Sequence, residues 1–208
     1  MTRSRSDRAL GFTLVELAIA ITIIVLLMVA VMQSESLIGS AGSKAAQAAV
    51  KDLTTAIGAF KDRYGYLPGD MPTATAQIPG LVAGSCSPTD NGDGNGQIDA
   101  AEVACVPEHL FRAGFIKGGT GTITLSISGK SVTVRAIAAS LSGAGAVYPY
   151  PSGTRNVIEL LNLPCQAAQD LDAKSDDGNF TTGTTRANVA ACTVGGANDP
   201  VTSLAVAL

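Results

Sequence analysis

Apolar residues crowd toward one end of this 208-residue chain. Phe12 to Met32, FTLVELAIAITIIVLLMVAVM, is a run of 21 residues with a single charge, Glu16. As a helix it would span about 31 Å, close to the hydrocarbon thickness of a bilayer. Arg3, Arg5 and Arg8 precede it against one acid, Asp7, which favours a cytoplasmic N-terminus. A secretory signal would have a shorter apolar core and a small-x-small cleavage site, and neither is present. Residues 33–64 turn amphipathic. Ile38, Ala41, Ala45, Ala48, Leu53, Ile57, Phe60 and Tyr64 recur at spacings of three to five, with Lys44, Lys51, Asp52, Lys61 and Asp62 left for the other face. Gly39 and Gly42 each weaken a helix by about 1 kcal/mol relative to Ala, so a bend is expected there. Gly65 and Pro68 end the helix.

Beyond residue 65 the pattern breaks into short segments. Residues 71–107 read as a long loop. Pro107–Gly119 reads as a short helix with Leu110, Phe111 and Ile116 inward and His109 as an ordinary surface or helix residue rather than a ligand. Ile123, Leu125 and Ile127, then Val132, Val134 and Ala136, alternate as strands of a hairpin over Thr120–Ser128 and Ser131–Ala138, with Gly129-Lys130 as its turn. Residues 156–163 read as a strand or a short helix, residues 165–174 as a helix, and 183–193 and 201–207 as late strands. The fold class that follows is α+β, a long N-terminal helix packed on a small antiparallel sheet. The domain plan is a leader over 1–11, a helix over 12–64 whose first part, 12–32, is transmembrane, and a globular domain over 65–208.

Glu16 is a costly charge inside an apolar run, and such a residue points to function and needs a partner. A positive group on a neighbouring chain would serve, such as an amine freed at Phe12 by a cut after Gly11. Gly11-Phe12-Thr13-Leu14-Val15-Glu16, with a basic leader before it and an apolar helix after it, resembles the prepilin signature of type IV pilins and type II secretion pseudopilins. The resemblance covers roughly residues 4–35. It implies cleavage after Gly11 by a prepilin peptidase, methylation of Phe12, and assembly with other pilin or pseudopilin subunits through Glu16. It also implies a start in the lipid of a bacterial inner membrane, with the globular domain periplasmic, or extracellular once in a filament. Gln33 stands where many pilins carry Pro. Tyr64-Gly65-Tyr66-Leu67-Pro68-Gly69-Asp70 and Asp172-Ala173-Lys174-Ser175-Asp176-Asp177-Gly178 resemble segments of one group of pilin-like proteins. The second is read as a helix end with a Gly turn, the other reading being a cation site at Asp176 and Asp177.

Residues 91–102, NGDGNGQIDAAE, fit the register of an EF-hand calcium loop. Asn91, Asp93 and Asn95 would offer side-chain oxygens, Gln97 its carbonyl, Asp99 a direct or water-bridged oxygen, and Glu102 both carboxylate oxygens. Gly96 takes the sharp turn and Ile98 is the apolar anchor. A structural Ca2+ is the expected cofactor; a solvated polar turn is the plain alternative. Cys86 and Cys105 bracket this loop, and Cys165 and Cys192 follow. Four cysteines allow three pairings. The nearest-neighbour pairing, Cys86–Cys105 and Cys165–Cys192, closes loops worth about 3 kcal/mol each in an oxidising compartment. No CxxC spacing suggests zinc.

Charge narrows the classes further. Lys and Arg number 14 against 17 Asp and Glu, so nucleic-acid binding by bulk charge is disfavoured. One His, and no nucleophile with a base, phosphate loop or catalytic acid pair, argue against an enzyme. Two functions are compared: a minor pilin or pseudopilin, built into a type IV pilus or type II secretion pseudopilus, and a membrane-anchored calcium-binding or adhesive protein that does not polymerise.

Overall fold

The computed structural model describes residues 13–86, 88–117, 122–192 and 199–208, with side chains 31–40 left aside. The leader 1–11, Gly11, Phe12, the hairpin start at Thr120-Gly121 and the Ile38 side chain lie outside the described residues. The chain divides into two compact units, one ending at Ile38 and the other running from Gly39 to Leu208. Helix α1, Leu14–Tyr64, contributes to both.

In the first unit every large apolar side chain from Leu14 to Val29 is exposed. Among the described residues no helix is long and apolar enough to cross a membrane. The described side chains of the apolar run end at Ala30.

In the second unit α1 ends at Tyr64, and the left-handed Gly65 (φ 80°) donates its N–H to Lys61 O at 2.7 Å. Its buried stripe runs through Gly42, Ser43, Ala46, Leu53, Ile57 and Phe60, while Ala41, Ala45 and Ala48 face solvent. The predicted phase was one residue out there, because an Ala-rich segment has no large side chain to mark its inner face. Helix conformation also continues through Gly39–Gly42. Gly42 serves packing: a Cβ on it would come within 2.6 Å of the Ile127 methyl.

Two short helices follow, α2 (Ala74–Gln77) and α3 (Cys105–Arg112). Helix α3 begins two residues before the predicted start and stops earlier, at the left-handed Gly114 (φ 82°). Strands β1 (Ile123–Ile127), β2 (Lys130–Ala138), β3 (Asn156–Pro164), β4 (Thr185–Ala187) and β5 (Pro200–Ala207) form one antiparallel sheet in the order β1-β2-β3-β5-β4. A 3₁₀ turn (Ala139–Leu141) and α4 (Gly143–Val147) lie between β2 and β3, and α5 (Cys165–Ser175) between β3 and β4. The hairpin turn is Ser128-Gly129, one residue earlier than expected, since Ile127 pairs with Lys130. Both turn residues have positive φ (50° and 74°), which suits the twist of a two-residue hairpin.

Register sorts the two faces. Ile123, Val134, Leu160, Leu204 and Ala187 form one row across all five strands. That face packs with Leu53, Ile57 and Phe60 of α1 and with Ala167, Ala168 and Leu171 of α5. Each large side chain so buried contributes about 1.5–3 kcal/mol. On the other face Ile137, Val157 and Ala205 pack with Ala139 and Ala144. There the fully buried Glu159 takes Arg135 Nε at 2.6 Å, Gly143 N–H at 2.7 Å and the Ser203 hydroxyl. The sheet is therefore covered on both sides, which is why β3 reads as nearly all apolar.

Candidate cation site

The turn after α1 and the 91–102 loop are built against each other. Gly92 N–H donates to Met71 O and Gly94 N–H to Asp70 O, both at 2.9 Å. The approach is close: a Cβ on Gly92 would lie 2.3 Å from the Asp70 carbonyl carbon. Ile98, fully buried, is held through its N–H by Asn156 Oδ1 (2.8 Å) and through its carbonyl by Ala138 N–H (2.8 Å). Asn156 also donates to Gly96 O. The loop is thus pinned to the sheet on one side and to the Pro68-Gly69-Asp70 turn on the other.

Three carboxylates converge there. Asp70, Asp93 and Glu102 each offer an oxygen, all within 4.8 Å of one another. Asp70 is 1% exposed; its Oδ2 accepts Gly96 N–H at 2.9 Å, and its Oδ1 has no partner. Glu102, also buried, accepts Asp93 N–H (3.0 Å) and Asp99 N–H (2.8 Å). Burial pushes the Asp70 carboxyl up, against the Gly96 N–H that pulls it down, and the neighbouring Asp93 carboxyl raises it further. Burial likewise raises Glu102, helped by the charges of Asp70 and Asp93.

Of the loop's expected ligands, Asp93 and Glu102 lie in this cluster, and side-chain oxygens of Asn91, Asn95 and Asp99 bond elsewhere. Asn91 Oδ1 accepts Thr75 N–H at 3.0 Å, and Asn95 Oδ1 accepts Gln97 N–H at 2.6 Å. Asp99 Oδ2 takes the Asn95 amide, and Asp99 is not among the converging carboxylates. Asp93 and Glu102 do meet, but the third acid, Asp70, comes from outside the loop. Sequence spacing gave no signal for Asp70 beyond its place in the Leu67-Pro68-Gly69-Asp70 turn.

Other site residues depart from expectation as well. His109 is a residue of α3 and fully buried, not on the surface. Its Nδ1 accepts Gly69 N–H and its Nε2 bonds Asp90 O, each at 3.0 Å, so it joins the same turn to the same loop. Phe60 stacks on it at 6.2 Å. Cys86 is bonded to Cys105 and Cys165 to Cys192. Glu16 has a partner within its own chain: its Oε2 accepts Thr13 N–H (3.0 Å) and the Thr13 hydroxyl (2.8 Å), while Glu16 N–H donates back to Thr13 Oγ1 (3.3 Å). Thr13 and Glu16 form a capping box at the start of α1.

Residues 7–32 match the family described as the prokaryotic N-terminal methylation motif. That motif is the mark of the type IV pilin and pseudopilin family. Comparison with curated proteins and with solved structures finds no match. Pilins and pseudopilins are structural subunits of pili and secretion assemblies, processed by prepilin peptidase and anchored in the inner membrane before assembly. As a pilin-like chain it also has the α+β build expected, a helix on a five-stranded antiparallel sheet.

Proposed function

We propose that this pilin-like chain is a minor pilin or pseudopilin, cut after Gly11, methylated on Phe12, and assembled into a type IV pilus or type II secretion pseudopilus through α1. The observation that carries the reading is the methylation motif over residues 7–32. The apolar surface of Leu14–Val29, exposed in the single chain, supports it, because helix–helix contact in a filament would replace lipid there. Mass spectrometry of the protein from its native host should give a chain beginning at N-methyl-Phe12. The mature chain should also be recovered with sheared filaments or cross-linked to other subunits. A processed chain that stays monomeric in the membrane while the assembly machinery is expressed would point instead to a non-polymerising anchored protein and refute the proposal.

The same reading gives the 91–102 loop a structural calcium ion. The donor set supports it: carboxylate oxygens alone, with Asp70 Oδ1 buried and unpartnered beside two further acids. Asp70, Asp93 and Glu102 would hold the ion, and its double charge would offset two of the three clustered negative charges.

A further inference from the structure

We propose that Asp172, Asp176 and Asp177 form a second calcium site, distinct from the 91–102 loop, that ties the end of α5 to the start of β4. Asp172 is fully buried, and among the described residues neither of its carboxylate oxygens has a hydrogen-bond partner. Each of the three acids offers an oxygen, all within 4.8 Å of one another. A buried carboxylate with neither oxygen satisfied is costly. A hard cation resolves it at both oxygens.

The neighbouring acids are held in place for that use. Asp176 takes Thr184 N–H and Thr185 N–H (2.9 Å for the latter), both on Oδ2. A Cβ at Gly183 would sit 1.9 Å from that oxygen, so only a residue without a side chain leaves room for it. Asp177 is fixed by Asn179 N–H (2.9 Å) and the Thr182 hydroxyl (2.6 Å). Two cations of this segment are engaged elsewhere: Arg186 gives its N–H groups to the carbonyls of Gly183, Tyr148 and Pro149, and Lys174 Nζ donates to Ser43 Oγ. Burial, then the charges of Asp177 and Asp176, push the Asp172 carboxyl up to about 6.

The donors are all oxygen, which selects a hard ion over zinc. Calcium accepts the irregular geometry of a helix end better than magnesium, which demands a near-ideal octahedron. Helix α5 carries Cys165 at its other end, bonded to Cys192. The ion would thus be a second clamp on one segment.

The test is calcium binding by the metal-stripped full-length chain in detergent micelles, by calorimetry or equilibrium dialysis with Ca2+ alone. D172N should lose one bound equivalent relative to wild type, while E102Q keeps that equivalent. In chelator D172N should melt at or above the wild-type temperature, since an uncompensated charge has gone. D177N should weaken the same equivalent roughly tenfold by lowering ligand charge, and it stands in if D172N fails to fold. Two wild-type equivalents, one lost in each of D172N and E102Q, support both sites. One equivalent lost only in D172N supports this site and removes the loop reading. Unchanged binding in D172N, or a wild-type equivalent lost only in E102Q, overturns the proposal.

Discussion

His109→Leu is the most direct probe of how the α1 turn is joined to the loop. Leucine keeps most of the volume beneath Phe60 but bonds to neither Gly69 N–H nor Asp90 O. Leaving a buried backbone group unsatisfied costs about 1–3 kcal/mol. With two such groups and imperfect packing, the loss should be about 3–5 kcal/mol, a large part of the usual 5–15 kcal/mol of a domain. His109→Asn, which can still reach Gly69 N–H, should fall between. The assay is denaturant unfolding followed by far-UV circular dichroism, with hydrogen exchange at the Gly69 amide as a local readout. An H109L chain within about 1 kcal/mol of wild type, with Gly69 still protected, would refute the reasoning. The same contact predicts a pH dependence. Burial holds the His109 pKa below its ordinary value. The unfolded chain therefore takes the proton first, so His109's contribution is complete above about pH 6.5 and is lost as pH falls below it. H109L should remove that part of the acid sensitivity.

Glu16→Ala removes both the capping box and the charge, whereas Glu16→Gln keeps an amide able to close the box. If intersubunit charge pairing drives assembly, both variants should fail to enter filaments; normal assembly by Glu16→Gln would leave capping as the residue's role. Gly92→Ala should destabilise by about 3 kcal/mol or more, because its Cβ meets the Asp70 backbone rather than a movable side chain; a melting temperature equal to wild type would contradict the close approach. Calcium should raise the melting temperature of the full chain over that in chelator, and Glu102→Gln should remove much of that shift. Because the Cys86–Cys105 bridge also holds the loop, the effect should grow under reducing conditions. No shift in either state would leave residues 91–102 as an ordinary polar turn.

Large apolar residues at regular spacing were legible in the sequence. Ile123 to Ala136 announced the hairpin, and Leu53, Ile57 and Phe60 announced the inner face of α1. Where the marking side chains are small, the reading slipped, as at Ala41–Ala48. Polar residues that act across long sequence separations were harder still. His109 reaches Gly69 forty residues away, and Asn156 reaches Ile98 across 58. Periodicity carries no information on such pairs. The EF-hand register located Asp93 and Glu102 but not Asp70, because spacing within a loop says nothing of a turn packed against it. Glu159 was hidden for a related reason: in a strand covered on both faces its partners, Arg135, Gly143 and Ser203, come from three other segments.

The position of β5 bears on how the chain must be made. It is the last strand in sequence, yet it lies inside the sheet, hydrogen-bonded to β3 on one side and β4 on the other. Strand β4 pairs with nothing else in the sheet, so it has no place to dock until β5 arrives. A chain growing from its N-terminus can form the β1–β2 hairpin and add β3 before the rest is made, but it cannot close the sheet. The domain is therefore a finished, protease-resistant unit only once Pro200–Ala207 have been added. For the same reason, removing residues 200–207 should cost far more than the loss of an edge strand.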